Sequence, residues 1–126
     1  MRWPALILAL CSFCAFAAQP GARSLDELRT FFAANCARCH GTDGASSTPI
    51  CRKLCSTDFT DPKVMAKVSD ERLVKTIRKG IFFGVVMPPF KKRLSEAETL
   101  LLVQGILRKA EKGKLIAAGG GGAVAR

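Results

Sequence analysis

An all-α domain of three to five helices is predicted by three features of this 126-residue sequence. Two capping boxes, Ser24-Leu25-Asp26-Glu27 and Ser95-Glu96-Ala97-Glu98, mark helix starts. Apolar residues follow each box at intervals of three and four, the period of one helix face. No segment carries a strong period-two alternation, so strands are not expected.

The first helix opens at Ser24 and carries Leu25, Leu28, Phe31, Phe32 and Asn35 at helical spacing. It runs into Cys36-Ala37-Arg38-Cys39-His40, and Gly41-Thr42-Asp43-Gly44 then breaks it. Residues 41–50 are expected as loop. Asp61-Pro62 starts a short helix, with Pro62 where no N–H is needed, and Val64, Met65 and Val68 are its apolar positions. Ser69-Asp70 starts another, with Leu73, Val74 and Ile77 on one side and Gly80 at its end. Residues 81–93 form a loop around Met87-Pro88-Pro89-Phe90. The last helix carries Leu100, Leu101, Val103, Ile106 and Leu107. Lys109, Lys112 and Lys114 near its C-terminal end favour the helix dipole. Gly119–Gly122 and the four residues after them form a flexible tail, and no internal repeat is present.

The N-terminus has the pattern of an export signal. Arg2 supplies the charge, Trp3 to Ala18 are almost unbrokenly apolar, and Ala15-Phe16-Ala17 fits the small-x-small rule for cleavage after Ala17. That run of about 16 residues is shorter than the roughly 20 that span a bilayer, so a retained anchor is the lesser alternative. Leu10 and Phe13 precede Cys11 and Cys14, which disfavours lipid attachment there. The expected division is a signal at 1–17, one domain at 18–115 and a tail at 116–126. About 109 mature residues support only a marginal core, which a large flat apolar cofactor would help to fill. The formal charge is +10, or about +9 once Arg2 is removed, which points to acidic partners or anionic surfaces. Nucleic acid is a poor partner for an exported chain.

Cys36-Ala37-Arg38-Cys39-His40 is the sequence pattern of covalent c-type haem attachment. Two thiols add across the vinyl groups of one porphyrin edge, and two intervening residues let both sulfurs reach that edge. The next residue then places an imidazole over the iron. His40 is the only histidine in the chain, so it ligates iron or the haem reading fails.

CARCHGTDG at 36–44, DFTDP at 58–62, SDERL at 69–73, MPPF at 87–90 and LSEAE at 94–98 together resemble the bacterial-type single-haem class I cytochromes c. The resemblance covers residues 24–112. It implies a small cytochrome c-like fold, its helices wrapped around one covalently bound haem c. It further implies thioether bonds from Cys36 and Cys39, a proximal ligand at His40 and a distal ligand at Met87. A thioether is soft and neutral, favours ferrous iron and raises the potential. Pro88 and Pro89 would stiffen the backbone beside it. Met65 is the competing thioether, but it lies in a predicted helix and lacks the following prolines. Pro49 matches the family's loop proline, whose carbonyl accepts a hydrogen bond from the histidine's other ring nitrogen; the alternative is an ordinary loop proline. Leu28 and Ile106 stand where the family's helix-crossing glycine and aromatic are expected. Gly105 is therefore the candidate for close approach of the first and last helices.

Cys51 and Cys55 are unusual for that family. An i,i+4 pair on a regular helix is too widely spaced for a disulfide, so a bridge requires residues 52–54 to be a bent loop; free thiols are the alternative. Arg52, Lys53, Lys75, Arg78, Lys79, Lys91, Lys92 and Arg93 surround the motifs. They either steer acidic redox partners or form a solvated charge run.

The expected function is periplasmic electron transfer by a monomer with no membrane span after cleavage. Its partners would be acidic redox proteins or a respiratory complex. No catalytic acid, base or nucleophile is apparent, so an enzyme is not expected. Three alternatives stand beside this. The chain could be an electron-transfer subunit of a larger respiratory complex. It could reduce peroxide or bind gas if Met87 is labile. Remotely, Cys36, Cys39, Cys51 and Cys55 could hold zinc.

Overall fold

The computed structural model describes residues 21–54 and 57–117. Six α-helices occur among them: α1 Leu25–Asn35, α2 Ala37–His40, α3 Pro49–Leu54, α4 Pro62–Met65, α5 Asp70–Lys79 and α6 Glu96–Gly105. Two of the six, α2 and α4, are single turns, and the architecture is the small all-α one expected. Short 3₁₀ turns follow at Phe82–Gly84 and Leu107–Lys109. No strand forms among the described residues; Ile81 and Met87 make one isolated antiparallel bridge. The expected export signal, Cys55 and the glycine-rich part of the expected tail lie outside the described residues.

Both capping boxes form as the sequence predicts. The Ser24 hydroxyl accepts from the Glu27 N–H and the Glu27 carboxylate accepts from the Ser24 N–H, and Ser95 and Glu98 repeat the exchange. Asp61 caps α4, with Pro62 in its first turn, and Ser69 caps α5. Gly80, at φ 73°, ends α5.

Helix α6 packs against α5 and α1. Leu28 and Phe32 from α1 meet Leu102 and Val103 from α6 in a core that also takes Leu94 and Ile106. The buried face of α6 differs from the one expected. Leu100 and Leu101 are exposed, and Thr99 and Leu102 are buried instead. Four consecutive apolar residues, Leu100 to Val103, hide the helical period in the sequence.

Gly105 does provide the close approach. A Cβ there would lie 2.6 Å from Leu25 Cδ1. Gly105→Leu should therefore destabilise the fold by about 1–3 kcal/mol through overpacking. Thermal denaturation checks this, and a neutral result contradicts the helix contact.

Glu98 joins the chain entry to α6. Its carboxylate accepts from the Arg23 N–H at 2.9 Å and the Ser95 N–H at 2.8 Å, and pairs with the Arg23 guanidinium at 3.2 Å. Burial alone would raise its pKa, but the Ser95 and Arg23 N–H groups and the Arg23 charge hold it below the ordinary glutamate value. The resulting stability is complete above the ordinary value and is lost as pH falls through the lowered one. The wild-type advantage over Glu98→Gln should shrink below about pH 4. An advantage that persists unchanged in acid contradicts this.

The ordered domain extends past the expected boundary at 115. Ile116 is buried, and its N–H donates to the Thr42 carbonyl at 2.9 Å. The Gly113 N–H donates to Asp43 Oδ2 at 2.8 Å, closing the same seam. Residues 49–54 form α3, so Pro49 and Ile50 are helical where loop is expected. Arg52, Lys53 and Leu54 are thus helical rather than the bent loop that a Cys51–Cys55 bridge requires.

Candidate functional site

Three segments form most of one cleft of about 830 Å³, its mouth included, and Leu54, Thr57, Phe59 and Leu107 complete it. The end of α1 and the turn α2 contribute Asn35, Cys36, Cys39 and His40. One face of α5 contributes Leu73, Thr76 and Ile77. The loop after α5 contributes Ile81, Val86, Met87 and Pro88. The near-continuity of α1 and α2 places both cysteines and the histidine on one wall. Cys36 is the single residue between the helices, and Gly41, at φ 82°, turns the chain away directly after His40.

His40 and Met87 also share a smaller apolar space beside the cleft, lined with Phe32, Ile77, Leu102 and Leu107. Met65 does not reach either space; it is buried in the core. The loop carrying Met87 is anchored at both sides. The Ile81 N–H donates to the Met87 carbonyl at 2.9 Å, and the Phe90 N–H donates to the Ile77 carbonyl at 3.0 Å.

The His40 ring stacks on Phe59, with centroids 4.8 Å apart and planes 26° apart. Its Nδ1 is buried and has no hydrogen-bond partner in the protein. Burial holds the imidazole pKa below its ordinary value, and the polar Thr57 backbone nearby opposes this in part. The neutral form is the one that ligates metal. Burial, reinforced by Cys39 and opposed by Arg93, pushes the free Cys36 thiol up to about 12.

Pro49 is not where its expected role requires. It opens α3, is exposed, lines neither space and makes no hydrogen bond to His40. The backbone that opposes the effect of burial on His40 belongs to Thr57, which lines the same cleft. Ser46 donates its hydroxyl to the Thr57 carbonyl at 2.5 Å, while its N–H donates to the His40 carbonyl at 2.9 Å. Sequence reasoning missed Thr57, Ser46 and Phe59. Of these only Phe59 lies in a recognised motif, DFTDP, and nothing in that motif marks an imidazole contact.

Cys51 is buried, with its Sγ against the Cys39 carbonyl. Among the described residues no group of three histidine, cysteine or acidic side chains is arranged to hold a metal ion. One imidazole, one thioether and two thiols on apolar walls instead suit a flat porphyrin.

Residues 23–104 match the family model described as cytochrome c oxidase, cbb3-type, subunit III. The chain belongs to this family. Among solved structures, one described as KustC0563 c-type cytochrome superposes on this cytochrome c domain with a TM-score of 0.58 at 33% identity. That alignment covers 69% of this chain and 99% of the other. A mutant of Kustc0563 superposes with a TM-score of 0.55 at 34% identity, covering 64% of this chain and 94% of the other. No curated protein matches the chain. The cofactor of this cytochrome c domain is a covalently bound haem c, and its chemistry is electron transfer.

Proposed function

We propose that this chain is a periplasmic one-electron carrier with a single haem c, bonded through Cys36 and Cys39 and ligated by His40 and Met87. The observation that carries this reading is the convergence of His40 and Met87 on one cleft whose wall holds both cysteines. When bound, haem supplies a one-electron ferric–ferrous couple.

The residues around it have separate tasks. Phe59 holds the imidazole plane by stacking. Burial keeps His40 neutral and able to donate a lone pair. Met87 offers a soft uncharged sulfur, and Pro88 and Pro89 limit its backbone motion. Leu73, Ile77 and Val86 exclude water, which favours the less charged ferrous state. With His40 and Met87 both holding the iron, no position would remain for a substrate, and the reading includes no catalysis.

The family match favours a second reading in which the carrier works as part of, or against, a respiratory complex. The partner changes and the chemistry does not. The mature charge of about +9 supports acidic surfaces on that partner.

A potentiometric titration of the holoprotein tests the proposal. One reversible one-electron step with no five-coordinate signal at neutral pH is expected. Two steps, or an open ferrous site that takes up carbon monoxide at once, would overturn it. Electron transfer to the partner should slow as salt rises.

A further inference from the structure

The loop between α5 and Met87 carries an apolar tip. Phe82, Phe83 and Val85 are 73%, 103% and 82% exposed. None of them lines the cleft, so filling the cleft with haem leaves them outside. Phe82 and Phe83 both sit at φ 54°, in the left-handed region that bulky side chains avoid. Gly84 follows at φ 85°. The two rings meet edge to face, with centroids 6.5 Å apart. A strained backbone thus projects a pair of phenyl rings into solvent.

The base of this tip is basic. Lys75 and Lys79 are exposed on α5 and Lys91 and Lys92 are exposed after the loop. The Lys91 N–H donates to the Arg78 carbonyl at 3.2 Å, which brings the two arms together. Among the described residues none of these four lysines enters an ion pair. No acidic residue occurs between Glu71 and Glu96.

We propose that this loop is a membrane anchor: Phe82, Phe83 and Val85 insert into the interface of an anionic bilayer, and Lys79, Lys91 and Lys92 hold its headgroups. Three side chains can bury about 500 Å² at most. That is short of the roughly 800 Å² per partner in a standard stable protein interface and matches only the smallest, transient redox contacts. Lipid needs no matching pocket and closes around a convex tip. Phe and Val also have no polar group to satisfy, and the lysines remain at headgroup level. The proposal goes beyond the electron-carrier reading and does not depend on Met87 ligation.

Co-sedimentation of holoprotein with vesicles tests it. Binding is expected to phosphatidylcholine vesicles containing one-third phosphatidylglycerol, with release by high salt and little binding to phosphatidylcholine alone. Phe82→Ser/Phe83→Ser should weaken binding at least about tenfold while the haem spectrum is unchanged. Should that double variant lose its spectrum, Phe83→Ser alone decides, because its side chain is fully exposed. Lys91→Ala/Lys92→Ala should weaken binding and reduce its salt dependence. Absence of binding to anionic vesicles overturns the proposal. So does an aromatic variant that binds vesicles like the wild type but reacts more slowly with a soluble electron acceptor, which would mark a protein-docking loop. The unchanged spectrum separates these outcomes from any failure of the haem-ligand assignment.

Discussion

Met87→Ala abolishes the weak red absorption band of methionine-ligated ferric haem and lowers the reduction potential on the order of a few tenths of a volt. Both effects have one cause. The variant removes the only thioether that lines the cleft among the described residues. Met65 offers no rescue, being 5% exposed in the core with its backbone carbonyl bonded to Arg108. The emptied position should then accept added imidazole. Met65→Leu is the control and should keep the band. A Met87→Ala protein with an unchanged band contradicts the ligand assignment.

Gly80→Ala has the second-largest expected effect, although residue 80 supplies no ligand. Its backbone has φ 73°, and a Cβ there would lie 2.4 Å from the Met87 carbonyl oxygen and 2.9 Å from the Pro89 nitrogen. Both atoms belong to backbone, so no rotamer change relieves the contact. The methionine loop must move, and the Ile81 to Met87 hydrogen bond that fixes it must stretch or break. A loss of about 2–4 kcal/mol is expected from backbone strain and overpacking together. The red band should weaken in the same variant, because sulfur position follows the loop. Denaturant titration and the ferric spectrum check the two effects. A variant with native stability and a native band contradicts this role for Gly80.

Local chemistry was legible in the sequence. Capping depends on residues three apart, so Ser24 with Glu27 and Ser95 with Glu98 announced α1 and α6. The cysteine pair and His40 lie within one turn, and their spacing is itself the chemistry. Met87 stood out through the prolines beside it.

What the sequence hid depends on contacts distant along the chain. Thr57 shares the cleft with His40 from 17 positions away, while Pro49, nearer in sequence, attracts the assignment. Arg108 reaches the carbonyls of Met65 and Val68 and the Asp70 carboxylate, pinning α4 and the start of α5 to the chain after α6. Nothing near Arg108 in sequence marks that role. At position 80 the helix end and φ of 73° already favour glycine, and the close contact arises because Met87 returns across it. Apolar character also misled where it was continuous: Leu100 and Leu101 look equal to Leu102 until α6 docks.

The central claim is that one haem is covalently attached and held between His40 and Met87. The visible spectrum of holoprotein made in a host that attaches haem tests it most directly, recorded oxidised, reduced and after denaturing extraction. The account predicts colour that stays with the denatured chain, a sharp ferrous spectrum and the weak red ferric band. Colourless protein, haem that leaves on extraction, or a high-spin ferric spectrum would contradict it.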